Sequence, residues 1–186
     1  MQKLNFFRKG ILALLVAATA LVACSKDSDT DNLKPNTVTL NGVEKKIIEA
    51  GYSLEDEAQG NYTLYLAIGE DEYVMLKLNK NLHMNGSTIH LNKEEDASIP
   101  EENHWFVFYQ SEEYPDEPII SASGKPALNQ FTQGTLTVSG SPESGNINIV
   151  LKKGRVVGTN IEDGGDINYK FTINYSGNIT EAKGQP

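Results

Sequence analysis

From Asn36 onward, apolar residues recur at every second position, and no window of helical length carries them at the i, i+3, i+4, i+7 spacing of an amphipathic helix. This alternation, rich in β-branched and aromatic residues, predicts an all-β domain. Thr37 to Leu40 and Val43 to Glu49 flank Asn41-Gly42, a pair that tolerates the positive φ angles of a type I′ hairpin turn. Tyr62, Leu64, Leu66 and Ile68 share one strand face, and beyond a turn at Gly69 to Glu72 so do Val74, Leu76 and Leu78 in the strand Tyr73 to Asn79. Thr88 to Asn92 reads as a short strand, Lys93 to Asn103 as an acidic loop, and Trp105 to Gln110 as the most aromatic strand. Ser111 to Pro118, with two prolines and four acids, reads as a solvated loop before an edge strand at Ile119 to Ser123. The last third is a meander of Gly134 to Ser139, Asn146 to Lys152, a break at Gly154, Val156 to Ile161 and Ile167 to Tyr175.

These parities place Leu64, Leu66, Val74, Leu76, Leu78, Leu136, Val138, Ile149, Leu151, Phe171 and Ile173 in the core, with Thr63 on the opposite face. Nine or ten strands with one buried face each fit an antiparallel β-sandwich, and the alternative is a calycin-like closed β-barrel. No composition shift divides residues 37–186, which read as a single domain.

The first residues have a different pattern. Lys3, Arg8 and Lys9 precede an unbroken apolar and small-residue run from Ile11 to Ala23, the layout of a secretory signal. The run is too short for a transmembrane helix, which needs ~20 apolar residues. Residues 1–23 are therefore expected to be the signal peptide and 24–36 a flexible acidic tether. Leu21-Val22-Ala23-Cys24 resembles the bacterial lipobox. That resemblance implies thioether-linked diacylglycerol on Cys24, cleavage before it, and acylation, palmitate included, of the new amino group. Several acyl chains anchor a protein stably where one does not, at about 0.8 kcal/mol per buried CH₂.

Asp27, Asp29 and Asp31, interleaved with Ser28 and Thr30, resemble the surface-export signal of Bacteroidota lipoproteins, although acids in that signal are contiguous. The resemblance implies display on the cell exterior, with a periplasm-facing outer-membrane anchor as the alternative. The same acids open like a calcium loop, but Asn32 stands at the sixth position and Val38 at the twelfth, where glycine and glutamate are needed. The closing strands, with Gly134-Thr135-Leu136-Thr137-Val138, Ile147-x-Ile149-x-Leu151 and Tyr175-Ser176-Gly177-Asn178-Ile179, resemble those of small Bacteroidota lipoproteins of unassigned function. This likeness implies no activity.

Charge and chemistry narrow the function further. The chain carries 16 Lys and Arg against 25 Asp and Glu, a net of −9; without residues 1–23 the balance is 13 against 25, or −12. Such a surface lacks the basic footprint that nucleic acid demands, and it does not dock electrostatically on anionic lipid. One cysteine leaves no disulfide scaffold and too few thiols for a thiolate zinc site or an iron–sulfur cluster. His83, His90 and His104 sit in no catalytic motif, Ser121-Ala122-Ser123-Gly124 is not a nucleophile elbow, and nothing in the chain calls for a metal or haem. No cofactor and no catalysis are expected.

Aromatic residues give the sharper lead. In Trp105 to Gln110, Phe106 and Phe108 face one way while Trp105, Val107 and Tyr109 face the other. With the phenylalanines inward, Trp105 and Tyr109 form a flat platform beside Tyr114 of the next loop, suited to stacking on sugar rings. The commoner arrangement covers both faces and buries Trp105. The expected function is thus a non-enzymatic, lipid-anchored surface module for a glycan or protein partner. The alternatives are a barrel for a small apolar ligand and a pilus-type assembly subunit.

Overall fold

The computed structural model describes residues 33–113, 115–125, 130–160 and 164–182. The signal segment, Cys24, Asp27, Asp29, Asp31 and Tyr114 lie outside the described residues. The first strands are β1 (Thr37–Leu40), β2 (Val43–Lys46), β3 (Glu49–Asp56), β4 (Asn61–Ala67) and β5 (Tyr73–Asn79), followed by the single-turn helix α1 (Lys80–His83). Then come β6 (Thr88–His90), β7 (Phe106–Gln110), β8 (Ile120–Ser123), β9 (Phe131–Ser141), β10 (Asn146–Thr159), β11 (Asp166–Asn178) and β12 (Thr180–Glu181). They form two six-stranded sheets, ordered β2-β1-β11-β10-β9-β6 and β12-β3-β4-β5-β7-β8. Every pairing is antiparallel except β12 with β3. Among the described residues the two sheets share no strand and do not close into one, so the domain is a β-sandwich and not a barrel.

The core follows the sequence parity. All eleven expected core residues are buried, from Leu64 and Leu76 in the second sheet to Leu136 and Phe171 in the first. Aromatic rings join the layers. Tyr109 meets Phe171 edge-on at 5.8 Å, and Trp105 meets Phe131 at 6.0 Å and 70°. A polar contact seals one margin: the buried Glu72 carboxylate accepts from Lys45 Nζ at 2.7 and 2.8 Å and from the Tyr109 hydroxyl. Burial, and then that carboxylate, push the Tyr109 phenol up, so it stays a neutral donor.

Several expectations shift for local reasons. Asn41 and Gly42 adopt φ of 50° and 84° between β1 and β2, as the hairpin signal requires. The run read as Val43 to Glu49 is interrupted after Lys46, because the chain crosses there between sheets: Ile47 is buried, Ile48 is exposed, and β3 begins in the other layer. The expected break at Gly154 is a β-bulge inside one continuous strand, β10. Lys152 and Lys153 both face solvent, Lys153 at φ 52°, and the inward parity switches from Ile147, Ile149 and Leu151 to Val156. Gly154 is required because a Cβ there would collide with the Phe171 carbonyl oxygen.

Thr63 also departs from expectation. It lies on the outer face in register with Ser53 and Lys77, yet it is buried and its Oγ1 has no hydrogen-bond partner. Leu76→Ala should cost about 2 to 5 kcal/mol in chemical denaturation, since Leu76 is fully buried. Thr63→Val should instead raise stability by roughly 1 kcal/mol, because it removes an unsatisfied buried hydroxyl at nearly constant shape.

Candidate functional site

The platform expected from Trp105 and Tyr109 does not form. Both side chains are buried, at 0% and 1% exposure, because Trp105, just before β7, and Val107 and Tyr109 within it face the first sheet. Period-two geometry then sends Phe106 and Phe108 outward, where both are half-buried. Register aligns Tyr65, Met75, Phe108 and Ser121 in one row across β4, β5, β7 and β8, with Thr63, Lys77, Phe106 and Ser123 in the next. Tyr73 stacks on Phe108 at 5.8 Å and 23°, and Phe106 lies 6.3 Å from Phe108. Tyr65, Tyr73, Met75, Phe106 and Phe108 therefore form an aromatic strip on the outer face of the second sheet. Among the described residues the first sheet offers no counterpart: its outward rows pair Thr39 with Thr172 and align Thr137, Val150 and Asn174.

At one end the strip meets a groove of about 420 Å³, lined by Phe106, Lys77, Glu55, Asp56, Glu101, Glu102, Ser123, Lys125 and His104, among others. Its far wall is the turn Glu101–Asn103, which Asn61 holds against β4 by donating from Nδ2 to Asn103 Oδ1 at 2.7 Å. Lys125 pairs with Glu101 and, with their hydrogen bond foremost, holds that carboxyl below its usual range.

Behind the groove, Glu95 organises both buried histidines. His83 Nδ1 accepts from the backbone N–H of Asn79 at 2.9 Å, so the ring's proton sits on Nε2, which donates to Glu95 Oε1 at 2.7 Å. His104 Nδ1 donates to Glu95 Oε2 at 3.1 Å, and the Trp105 backbone N–H donates to the same oxygen at 2.9 Å. Burial works to raise the Glu95 carboxyl, but the hydrogen bond from His83, then those from the Trp105 N–H and His104, outweigh it and hold the group below its usual range. Gly124 completes the packing, since a Cβ there would strike both Glu95 Oε2 and Trp105 Nε1.

No family model, curated protein or solved structure matches the chain.

The chemistry must therefore be read from the site itself. Among the described residues, no serine, threonine or cysteine hydrogen-bonds either imidazole, and no three acidic, histidine or cysteine side chains gather as a metal site. The arrangement is suited to binding: an aromatic surface, flanking carboxylates and lysines, and one imidazole fixed in place. His90 stays apart, exposed on β6. Glu95 was hidden to sequence reading in a run of acids, and its only local signal was its place between two histidines remote from each other in sequence.

Nitrogen-detected NMR should find the neutral rings of His83 protonated at Nε2 and of His104 at Nδ1. Because the folded Glu95 carboxyl lies below its unfolded value, its stabilisation is complete above the ordinary carboxylate range and is lost as pH falls through the folded value. Glu95→Gln should lower the melting temperature at neutral pH and reduce that acid dependence.

Proposed function

We propose that this chain is a lipid-anchored, non-enzymatic lipoprotein of the outer membrane, of the Bacteroidota type, displayed at the cell surface as a binding module. The anchor rests on the lipobox resemblance ending at Cys24, and display rests on Asp27, Asp29 and Asp31. The binding reading rests on one observation above all: the aromatic strip of Tyr65, Tyr73, Met75, Phe106 and Phe108 on a sheet face whose interior side is already packed. A row of neighbouring, partly exposed apolar side chains on an outer sheet face supports the reading of an interaction surface.

The start of the described chain lies on the other sheet. Asn174 Nδ2 donates to the carbonyl oxygens of Leu33 and Lys34 at 3.1 Å each, and Ser176 N–H donates to Asn36 Oδ1. The first described residues are thus pinned against the first sheet, while the strip belongs to the outer face of the second. The apolar-ligand reading loses its main support, because it required a closed sheet around an unfilled interior.

Cys24→Ser should abolish metabolic labelling with palmitate and shift the protein out of the membrane fraction; persistent labelling would exclude Cys24 as the anchor. The strip is tested with the detergent-extracted protein on an array carrying oligosaccharides and peptides. The wild type should be captured, and Tyr73→Ala with Phe108→Ala should abolish capture while leaving the folded spectrum intact. Capture that survives the double substitution, or none by the wild type, would count against this surface.

A further inference from the structure

We propose that the groove beside the strip is a saccharide subsite, in which Phe106 stacks on a sugar ring and Nε2 of His104 accepts a hydrogen bond from a ring hydroxyl. The inference rests on the reading of this face as a binding surface and names its ligand class.

The first observation is the state of His104. Its side chain is only 4% exposed, one nitrogen is committed to Glu95, Nε2 has no partner among the described residues, and His104 is one of the residues that line the groove. Nε2 is not among the buried atoms left without a partner, so it keeps a narrow opening to solvent and is free to accept a hydrogen bond from a ligand. Glu95, itself fixed by His83 and the Trp105 backbone, holds the Nδ1 proton in place, so Nε2 presents a lone pair of set direction. This ordering lies behind the groove wall and serves that one exposed acceptor.

The second observation is the mixture of groups around it. Glu55, Asp56, Glu101 and Glu102 supply acceptors, while Lys77 and Lys125 supply donors, within a volume inside the ~300 to 1,000 Å³ span of small-ligand sites. A strongly cationic ligand would meet Lys77, which stands directly opposite Phe106 in the strand register and has no carboxylate partner among the described residues. An anionic ligand would meet four carboxylates. A neutral polyhydroxyl ring both donates and accepts at its edge and is apolar on its face, which answers both halves of the lining. Phe108 and Tyr73 continue from Phe106 along the sheet, so an oligosaccharide has further rings to lie against.

The test uses the detergent-extracted lipoprotein on an array of neutral, amino-bearing and carboxyl-bearing oligosaccharides and basic peptides. Neutral oligosaccharides should be captured, and His104→Ala and Phe106→Ala should each weaken capture by about tenfold or more, the worth of one well-made contact. His104 also supports Glu95, so Phe106→Ala, which alters a side chain outside the core, carries the test if the histidine variant is poorly folded. Preference for basic peptides, or saccharide capture unchanged in Phe106→Ala and in a folded His104→Ala, overturns the inference. If Tyr73→Ala with Phe108→Ala abolishes peptide capture while the groove variants do not matter, the binding surface stands and the saccharide subsite falls. If no substitution affects capture, both fall.

Discussion

The inward seating of Trp105 and Tyr109 is the constraint around which the rest of the molecule is arranged. Their rings reach the first sheet at Phe131 and Phe171, and the Tyr109 hydroxyl closes on Glu72, which in turn holds Lys45 of β2. Once these two residues point inward, strand geometry leaves Phe106 and Phe108 no direction but outward. The aromatic outer face is thus a geometric consequence of how the core is filled.

The same seating orders the polar wall behind the groove. The Trp105 backbone N–H is one of the groups that fix Glu95, and Gly124 packs against the Trp105 indole so closely that no side chain fits. Asn79 extends this order. Its side-chain oxygen caps α1, its amide nitrogen donates to Gln59 and Asn61, and its backbone N–H sets the tautomer of His83. Core packing and site geometry share these residues, so a change at Asn79 or Gly124 would disturb both.

The layout was legible wherever a strand has one apolar and one polar face. Leu64, Leu66, Val74, Leu76 and Leu78 declare their side through polar or small neighbours, and Asn41-Gly42 declares its turn through backbone chemistry. β7 resists the same treatment because both its faces are apolar, so periodicity gives two rows and no sign to tell inside from outside; size decided it, the indole and phenol filling a space between sheets. The bulge at Lys152 and Lys153 was visible only as an interruption, since an inserted residue shifts parity without ending the ladder. β3 was passed over because Ala50 and Gly51 weaken its alternation. The Glu95 cluster depends on three segments meeting in space, and no local pattern reports that.

The edges of the two sheets bear on crowding. Were the proposed anchor made, the protein would be concentrated in two dimensions, where unpaired strand edges of neighbouring copies meet far more often than in free solution, and edge-to-edge pairing leads to aggregation. Here β6 spans three residues and β12 two, too short to template another chain. β2 carries Glu44, Lys45 and Lys46, and beside β8 the preceding residue Ile119 accepts at its carbonyl from Thr159 of β10. Edges built in this way disfavour strand pairing between copies and leave the aromatic face as the surface open to another molecule.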